Sequence, residues 1–139
     1  MLTKSCKAKG RILQTKIAED IREAFRLSSS DVRPAIMGER GCDVHLSEAA
    51  RKLFPWALEA KACETLPLWA SIKQCSDNAV IEGLRPLLVF KRNRSPMYVC
   101  LCWKDFLELV ELAAIANHEM EGKKAYEAKV EKLEGKAKA

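Results

Sequence analysis

Asp43 and, sixteen positions later, Glu59-Ala60-Lys61 are the residues whose types and spacing suit chemistry. The segment 56–62 is apolar apart from Glu59 and Lys61. Residues two apart on a strand share a face, so this acid and this base project together from an otherwise buried strand. Burying a carboxylate and an ammonium is costly unless they pair or hold a metal. A second carboxylate nearby, Asp43, would complete a site for a hard divalent cation such as Mg²⁺. Gly38-Glu39-Arg40-Gly41 leads into Asp43, and a loop bracketed by glycines lets backbone approach a ligand closely.

By itself the Glu-x-Lys spacing is weak. It occurs four times, and three copies (Glu121/Lys123, Glu127/Lys129, Glu134/Lys136) lie in the polar end of the chain. There the pair signifies a solvated helix. Context separates Glu59/Lys61: an apolar strand, preceded by an acid behind two glycines.

The elements that must position this site follow from periodicity. Residues 7–27 carry Ile12, Leu13, Ile17, Ile21, Ala24 and Phe25 at helical steps. Ser28-Ser29-Ser30-Asp31 stops that helix and leads into a short turn over 31–36. Residues 42–46 read as a strand, and 47–54 as a short helical insert capped by Ser47 and ended by Pro55. The central strand is 56–62. Residues 66–80 return to helical spacing, with Leu68, Trp69, Ile72, Cys75 and Ala79 on one stripe. Residues 84–90 form a strand, Asn93-Arg94-Ser95-Pro96 a turn, and 97–103 its hairpin partner. A last helix covers 104–116. Trp56, Trp69 and Trp103 fall within apolar patterns and are expected in the core. The fold class is α/β, in the order α-β-(α)-β-α-β-β-α, with helices flanking a mixed sheet. Residues 1–116 make one domain with a basic N-terminal arm, and 117–139 a charged helical or disordered tail.

The 139 residues suit one core, and no apolar run approaches the length of a membrane span. Nothing resembles a secretory signal, so the six cysteines are expected as reduced thiols in a cytoplasm. They include no C-x-x-C, and Cys100 and Cys102 with His45 fall short of the four ligands of structural zinc. The net charge is +5, equal to the charge of the first sixteen residues alone, where Lys4, Lys7, Lys9, Arg11 and Lys16 meet no acid. Lys91, Arg92 and Arg94 form a second acid-free cluster. Such groups suit a polyanionic partner, gripping phosphates without reading sequence.

Taken together, Lys9-Gly10-Arg11 at a helix start, Gly38-Glu39-Arg40-Gly41-Cys42-Asp43, Leu58-Glu59-Ala60-Lys61 and Trp69-Ala70-Ser71-Ile72-Lys73-Gln74 resemble the PD-(D/E)xK nuclease superfamily. The likeness is to Holliday junction resolvases of archaeal and bacteriophage type, and it covers residues 7–112. The hairpin 86–94 and the segment 103–107 also look like phage members. The resemblance implies a restriction-endonuclease-like fold and a Mg²⁺-dependent endonuclease (Mn²⁺ substituting) that acts on branched DNA as a homodimer. It needs no small-molecule cofactor and no membrane, and works in the host cytoplasm if phage-encoded. It assigns Asp43, Glu59 and the Ala60 carbonyl to the metal, and Lys61 to orienting the attacking water or stabilising charge on the phosphate. Gln74 falls at a polar position near the site. Lys7, Lys9, Arg11, Arg40, Lys91, Arg92 and Arg94 are the implied DNA contacts. Many such resolvases carry a Glu on the first helix where this chain has Gln14. That leaves Gln14 and Glu39 as further candidates for the metal. The usual Pro before the first acid is replaced by Cys42. Two other readings remain open: a nuclease of the same type acting on flaps, nicks or linear duplex, and a non-catalytic DNA-binding protein.

Overall fold

The structure is a computed structural model and describes residues 4–138. The chain divides into two units, Met1–Leu101 and Cys102–Ala139. The first is a mixed α/β unit. Its elements are α1 (Lys4–Phe25), β1 (Val32–Pro34), β2 (Val44–Leu46), α2 (Glu48–Leu53), β3 (Trp56–Ala62), α3 (Leu68–Glu82), β4 (Arg85–Lys91) and β5 (Tyr98–Cys100). The second unit is one helix, α4 (Trp103–Ala137). No helix among the described residues is long and apolar enough to cross a membrane.

β3 forms at the predicted bounds because its residues suit a strand covered on both faces; Trp56 to Ala60 are all buried. Leu58 and Ala60 face α1 and join Leu13, Ile17, Ala18 and Ile21 in the main core. Ala57, on the alternate face, packs with Cys42 and Ala79 of α3. The Cys75 thiol, also on α3, donates to the Ala57 carbonyl at 3.7 Å. Alternation along the strand therefore points Glu59 and Lys61 to the α3 side.

β4 runs parallel to β3 from Trp56↔Arg85 to Ala62↔Lys91, and β5 pairs antiparallel with β4. The 92–97 turn therefore lies at the end of the sheet where β3 also ends. Two hydrogen bonds tie this end together: Cys63 N to the Lys91 carbonyl (3.1 Å), and Asn93 N to Glu64 Oε1 (2.8 Å).

Three differences from the sequence reading have physical causes. The 31–36 stretch contains a strand, β1, paired antiparallel with β2, so the observed order gains a strand and a two-stranded sheet stands beside the three-stranded one. Three residues ending in proline carry too little periodicity to register. On α3 the buried face is Ser71, Cys75 and Ala79, and Trp69 is 81% exposed. Cys75 and Ala79 of the expected stripe lie on that face and Ile72 is half-buried, but at the start of the helix Ser71 takes the buried position while Leu68 and Trp69 stay outside. α4 runs without a break through position 116, because Ala, Lys and Glu sustain helix as well as larger apolar residues do. Ser47 caps α2 as expected, accepting from Ala50 N at 3.1 Å.

Candidate functional site

Asp43 sits between the loop and β2, where two sheets meet. Its amide donates to the Leu58 carbonyl (3.0 Å), and its carboxylate Oδ2 accepts from Ala60 N (2.7 Å). β3 thus clasps Asp43 from both sides of Glu59. A strand residue's N–H and C=O project to the same edge. The Ala60 carbonyl therefore lies on the edge that holds Asp43, away from the β3–β4 ladder.

Glu59 is 3% exposed, and its Oε2 is buried with no hydrogen-bond partner. Its Oε1 lies 3.1 Å from Lys61 Nζ. Lys61 Nζ also donates to Gln74 Oε1 at 2.9 Å. Four of the expected site residues (Asp43, Glu59, Lys61 and Gln74) are thus brought together by the end of the loop before β2, by β3 and by α3. Burial pushes the Asp43 carboxyl above its ordinary range, against the Ala60 amide and Lys61. Burial pushes Glu59 up too, and the Asp43 charge adds to it. Two carboxylates in a dry pocket with one partner ammonium are over-charged negatively, and a proton or a cation relieves this. Their thiol neighbours respond to the same environment. Burial and then Glu82 lift Cys42 to about 11, while burial and then Glu59 lift Cys75 to about 11. Both thiols stay protonated and act as small apolar groups.

Glu39 is placed otherwise. Arg33 grips it with two bonds (3.0 and 3.1 Å), and Ile36 N donates to it at 2.8 Å. The Arg33 bond holds the Glu39 carboxyl down at about 2. His45 Nε2 lies 3.3 Å from Glu39 Oε1 but is not aligned for a hydrogen bond. Glu39 is spent on bracing the loop. Gln14 stands half-buried on α1 beside Leu13 and Ile17, which pack on the opposite face of β3 from Glu59. Among the described residues, no cluster of three or more His, Cys, Asp or Glu side chains forms a metal cage.

The donors present nevertheless fit Mg²⁺. This ion keeps several waters and commonly takes one or two carboxylates plus substrate phosphate oxygens. Asp43, Glu59 and the Ala60 carbonyl are donors of that kind, and the Glu59 oxygen without a hydrogen-bond partner is one a cation would meet.

Of the expected phosphate contacts, Lys7, Arg11, Arg40, Arg92 and Arg94 are exposed, while Lys9 and Lys91 are half-buried. Lys91, Arg92 and Arg94 lie at the sheet end where β3 ends just past Lys61. Arg94 takes a left-handed backbone (φ 60°) inside the turn, which Ser95 Oγ closes onto Arg92. Sequence reasoning missed Arg33. Its signal was a cation six residues before Glu39, readable only once β1 pairs with β2.

Comparison with known proteins finds no matching family model, no matching curated protein and no matching solved structure.

Proposed function

We propose that this chain is a metal-dependent DNA endonuclease of the PD-(D/E)xK type, acting on four-way junctions as a homodimer. The observation that carries this reading is the buried Glu59 carboxylate, with one oxygen unpartnered, set against Asp43 and Lys61. A structural ion pair would not recruit a second acid into the same dry pocket, because that acid only adds repulsion. A site that takes up a divalent cation has a use for both.

In this reading Asp43, Glu59 and the Ala60 carbonyl hold Mg²⁺. The ion supplies charge neutralisation of the phosphodiester and a more acidic water. The protein's own groups do the rest. Lys61 holds a water or a phosphate oxygen beside the carboxylates. Gln74 fixes the Lys61 ammonium by accepting one of its three donors, leaving the others for substrate. Burial by α3 and β3 keeps bulk water off Glu59, so each charge acts at low dielectric. Lys91, Arg92 and Arg94 grip phosphates at the same sheet end, and Lys7, Lys9, Arg11 and Arg40 extend the cationic surface.

The test compares the wild-type chain with Asp43→Asn on four-way junction, flap and linear duplex DNA, in Mg²⁺ or Mn²⁺ and in EDTA. Paired symmetric nicks across the junction are expected, with none from the variant or in EDTA. Cutting confined to flaps or linear duplex would keep the chemistry and replace the substrate. Salt-sensitive binding without cleavage under either metal would leave only a DNA-binding protein.

A further inference from the structure

The segment between β1 and β2 is built more firmly than a connecting loop requires. Ala35 N donates to the Asp43 carbonyl (2.8 Å) and closes its base. Within it, Glu39 N donates to the Ile36 carbonyl (2.9 Å), making a turn over 36–39. Glu39 is clamped by Arg33 and by Ile36 N. Gly38 (φ 83°) and Gly41 (φ 99°) take left-handed backbone, and Asn78 of α3 donates to the Gly41 carbonyl at 3.3 Å. A Cβ at Gly41 would meet only Glu82 Oε1, at 3.8 Å, so glycine is required there by conformation and not by space.

This braced turn presents two bare aliphatic side chains: Ile36 is 68% exposed and Met37 79%. Neither contributes to the core. Both stand on the loop that ends at Asp43, and exposed Arg40 follows them. Building so rigid a mount for two solvent-facing apolar groups makes sense when they enter a partner. Two side chains are too little apolar surface to hold a membrane or a protein partner by themselves. They are enough to enter one base step, the use to which Ile and Met are put by proteins that unstack DNA.

We propose that Ile36 and Met37 form a wedge that enters an unstacked base step at the branch point of the DNA held at Asp43 and Glu59. The inference rests on the nuclease reading above and names how that site selects its substrate. Insertion into intact duplex must break stacking; at a branch, stacking is already interrupted, so the same contact is gained at less cost. The wedge therefore favours branched over linear DNA, while Arg40 meets an adjacent phosphate.

The test uses the full chain with four-way junctions and linear duplexes carrying 2-aminopurine, at the branch in the junctions. Ca²⁺ replaces Mg²⁺ to allow binding without cleavage. Wild type is expected to raise 2-aminopurine fluorescence at the branch. Ile36→Ser/Met37→Ser is expected to abolish that rise and lose about tenfold in junction affinity, the scale of one buried aliphatic contact. Its affinity for linear duplex should change less than about twofold, since phosphate contacts carry that binding. Met37→Leu, with equal apolar bulk, should keep the rise. Both side chains are exposed, so melting temperature should match wild type, which checks that the variant is folded. A double variant that unstacks the branch as wild type does, or that loses equally on both DNAs, overturns the wedge. If wild type cuts junctions and the double variant cuts them equally well, the wedge alone falls. If wild type neither binds nor cuts DNA, the nuclease reading falls first and takes the wedge with it.

Discussion

β3 and α4 carry the same three-residue pattern and do opposite things with it. Glu59 and Lys61 sit two apart on a strand, share a face, and meet at 3.1 Å in a pocket that leaves Glu59 3% exposed. Glu121/Lys123, Glu127/Lys129 and Glu134/Lys136 sit two apart on a helix, where such residues point to different sides. All six are exposed, and among the described residues none enters an ion pair. The difference lies in what the backbone does to a spacing of two, and in whether water can reach the acid. A motif becomes a site where secondary structure makes its side chains converge and packing denies them solvent.

The largest effect should separate function from stability at one residue. Glu59→Gln keeps the shape of the side chain and removes its charge. It should lower metal-dependent cleavage by more than about 100-fold, beyond the cost of losing a residue that only supports a ligand. In metal-free buffer at neutral pH the same change should stabilise the protein by about 1–3 kcal/mol, because a buried charge with one unpartnered oxygen beside Asp43 is gone. Lys61 keeps Gln74 and is partly exposed, so it is not stranded. Thermal melting with EDTA and with excess Mg²⁺ reads both sides: Mg²⁺ should raise the wild-type melting temperature and leave the variant unmoved. Glu121→Gln on α4 should change neither quantity. If Glu59→Gln destabilised the metal-free protein, Glu59 would be a structural ion-pair partner and β3 would resemble α4 after all.

A smaller effect should appear one step out from the carboxylates. Gln74→Ala removes the acceptor that fixes Lys61 and should reduce the single-turnover cleavage rate about 10-fold, the low end for an outer-shell partner. DNA affinity measured in Ca²⁺ should hardly change. A parallel loss of affinity would move Gln74 from positioning Lys61 to binding substrate.

The strand was legible because its signal was composition. Seven residues, apolar but for two, bounded by Pro55 and followed by polar residues, admit little else. Asp43 was legible through the glycines before it. The clamp on Glu39 was not, since it needs Arg33 carried across from β1, a strand too short to show a period. Trp69 misled for a related reason. Helical spacing fixes which residues share a stripe, and Cys75 and Ala79 are buried as expected, but a small residue such as Ser71 can take the buried position while a large aromatic stays outside. Gln14 shows the limit of alignment by position: it sits on the expected helix, yet its neighbours Leu13 and Ile17 pack on the face of β3 away from Glu59.

pH gives a test in which the buried pair and Glu39, acids of one unit, should move stability in opposite directions. Asp43 and Glu59 titrate above their unfolded values, chiefly through burial. Stability from their protonated forms is complete below the unfolded pKa of about 4 and is lost as pH rises through the raised folded values. Glu39 titrates at about 2, below its unfolded value near 4.5, through Arg33. Its contribution is present above about 4.5 and fades as pH falls toward 2. Metal-free protein should therefore lose stability as pH rises above the unfolded carboxylate range, and Mg²⁺ should reverse that loss. Glu59→Gln should flatten this upper limb. Arg33→Ala should flatten the acid limb only. An upper limb unaffected by Mg²⁺ would break the link between the buried pair and a cation.

The smallest effect belongs to α4, and its smallness is the point. Glu127→Ala/Lys129→Ala removes a Glu-x-Lys pair whose members face different sides of an exposed helix. Alanine is the better helix former, which offsets whatever weak contacts the charges make with residues three or four away. The net change in stability should stay within about 0.5 kcal/mol. Cleavage of junction DNA at moderate salt should be unchanged, because the substitution removes one charge of each sign and leaves the net charge as it was. A drop in cleavage that scales with salt would show that Lys129 meets a phosphate. That copy of the motif would then serve the same substrate as the one on β3, through charge alone rather than through the convergence that a buried strand imposes.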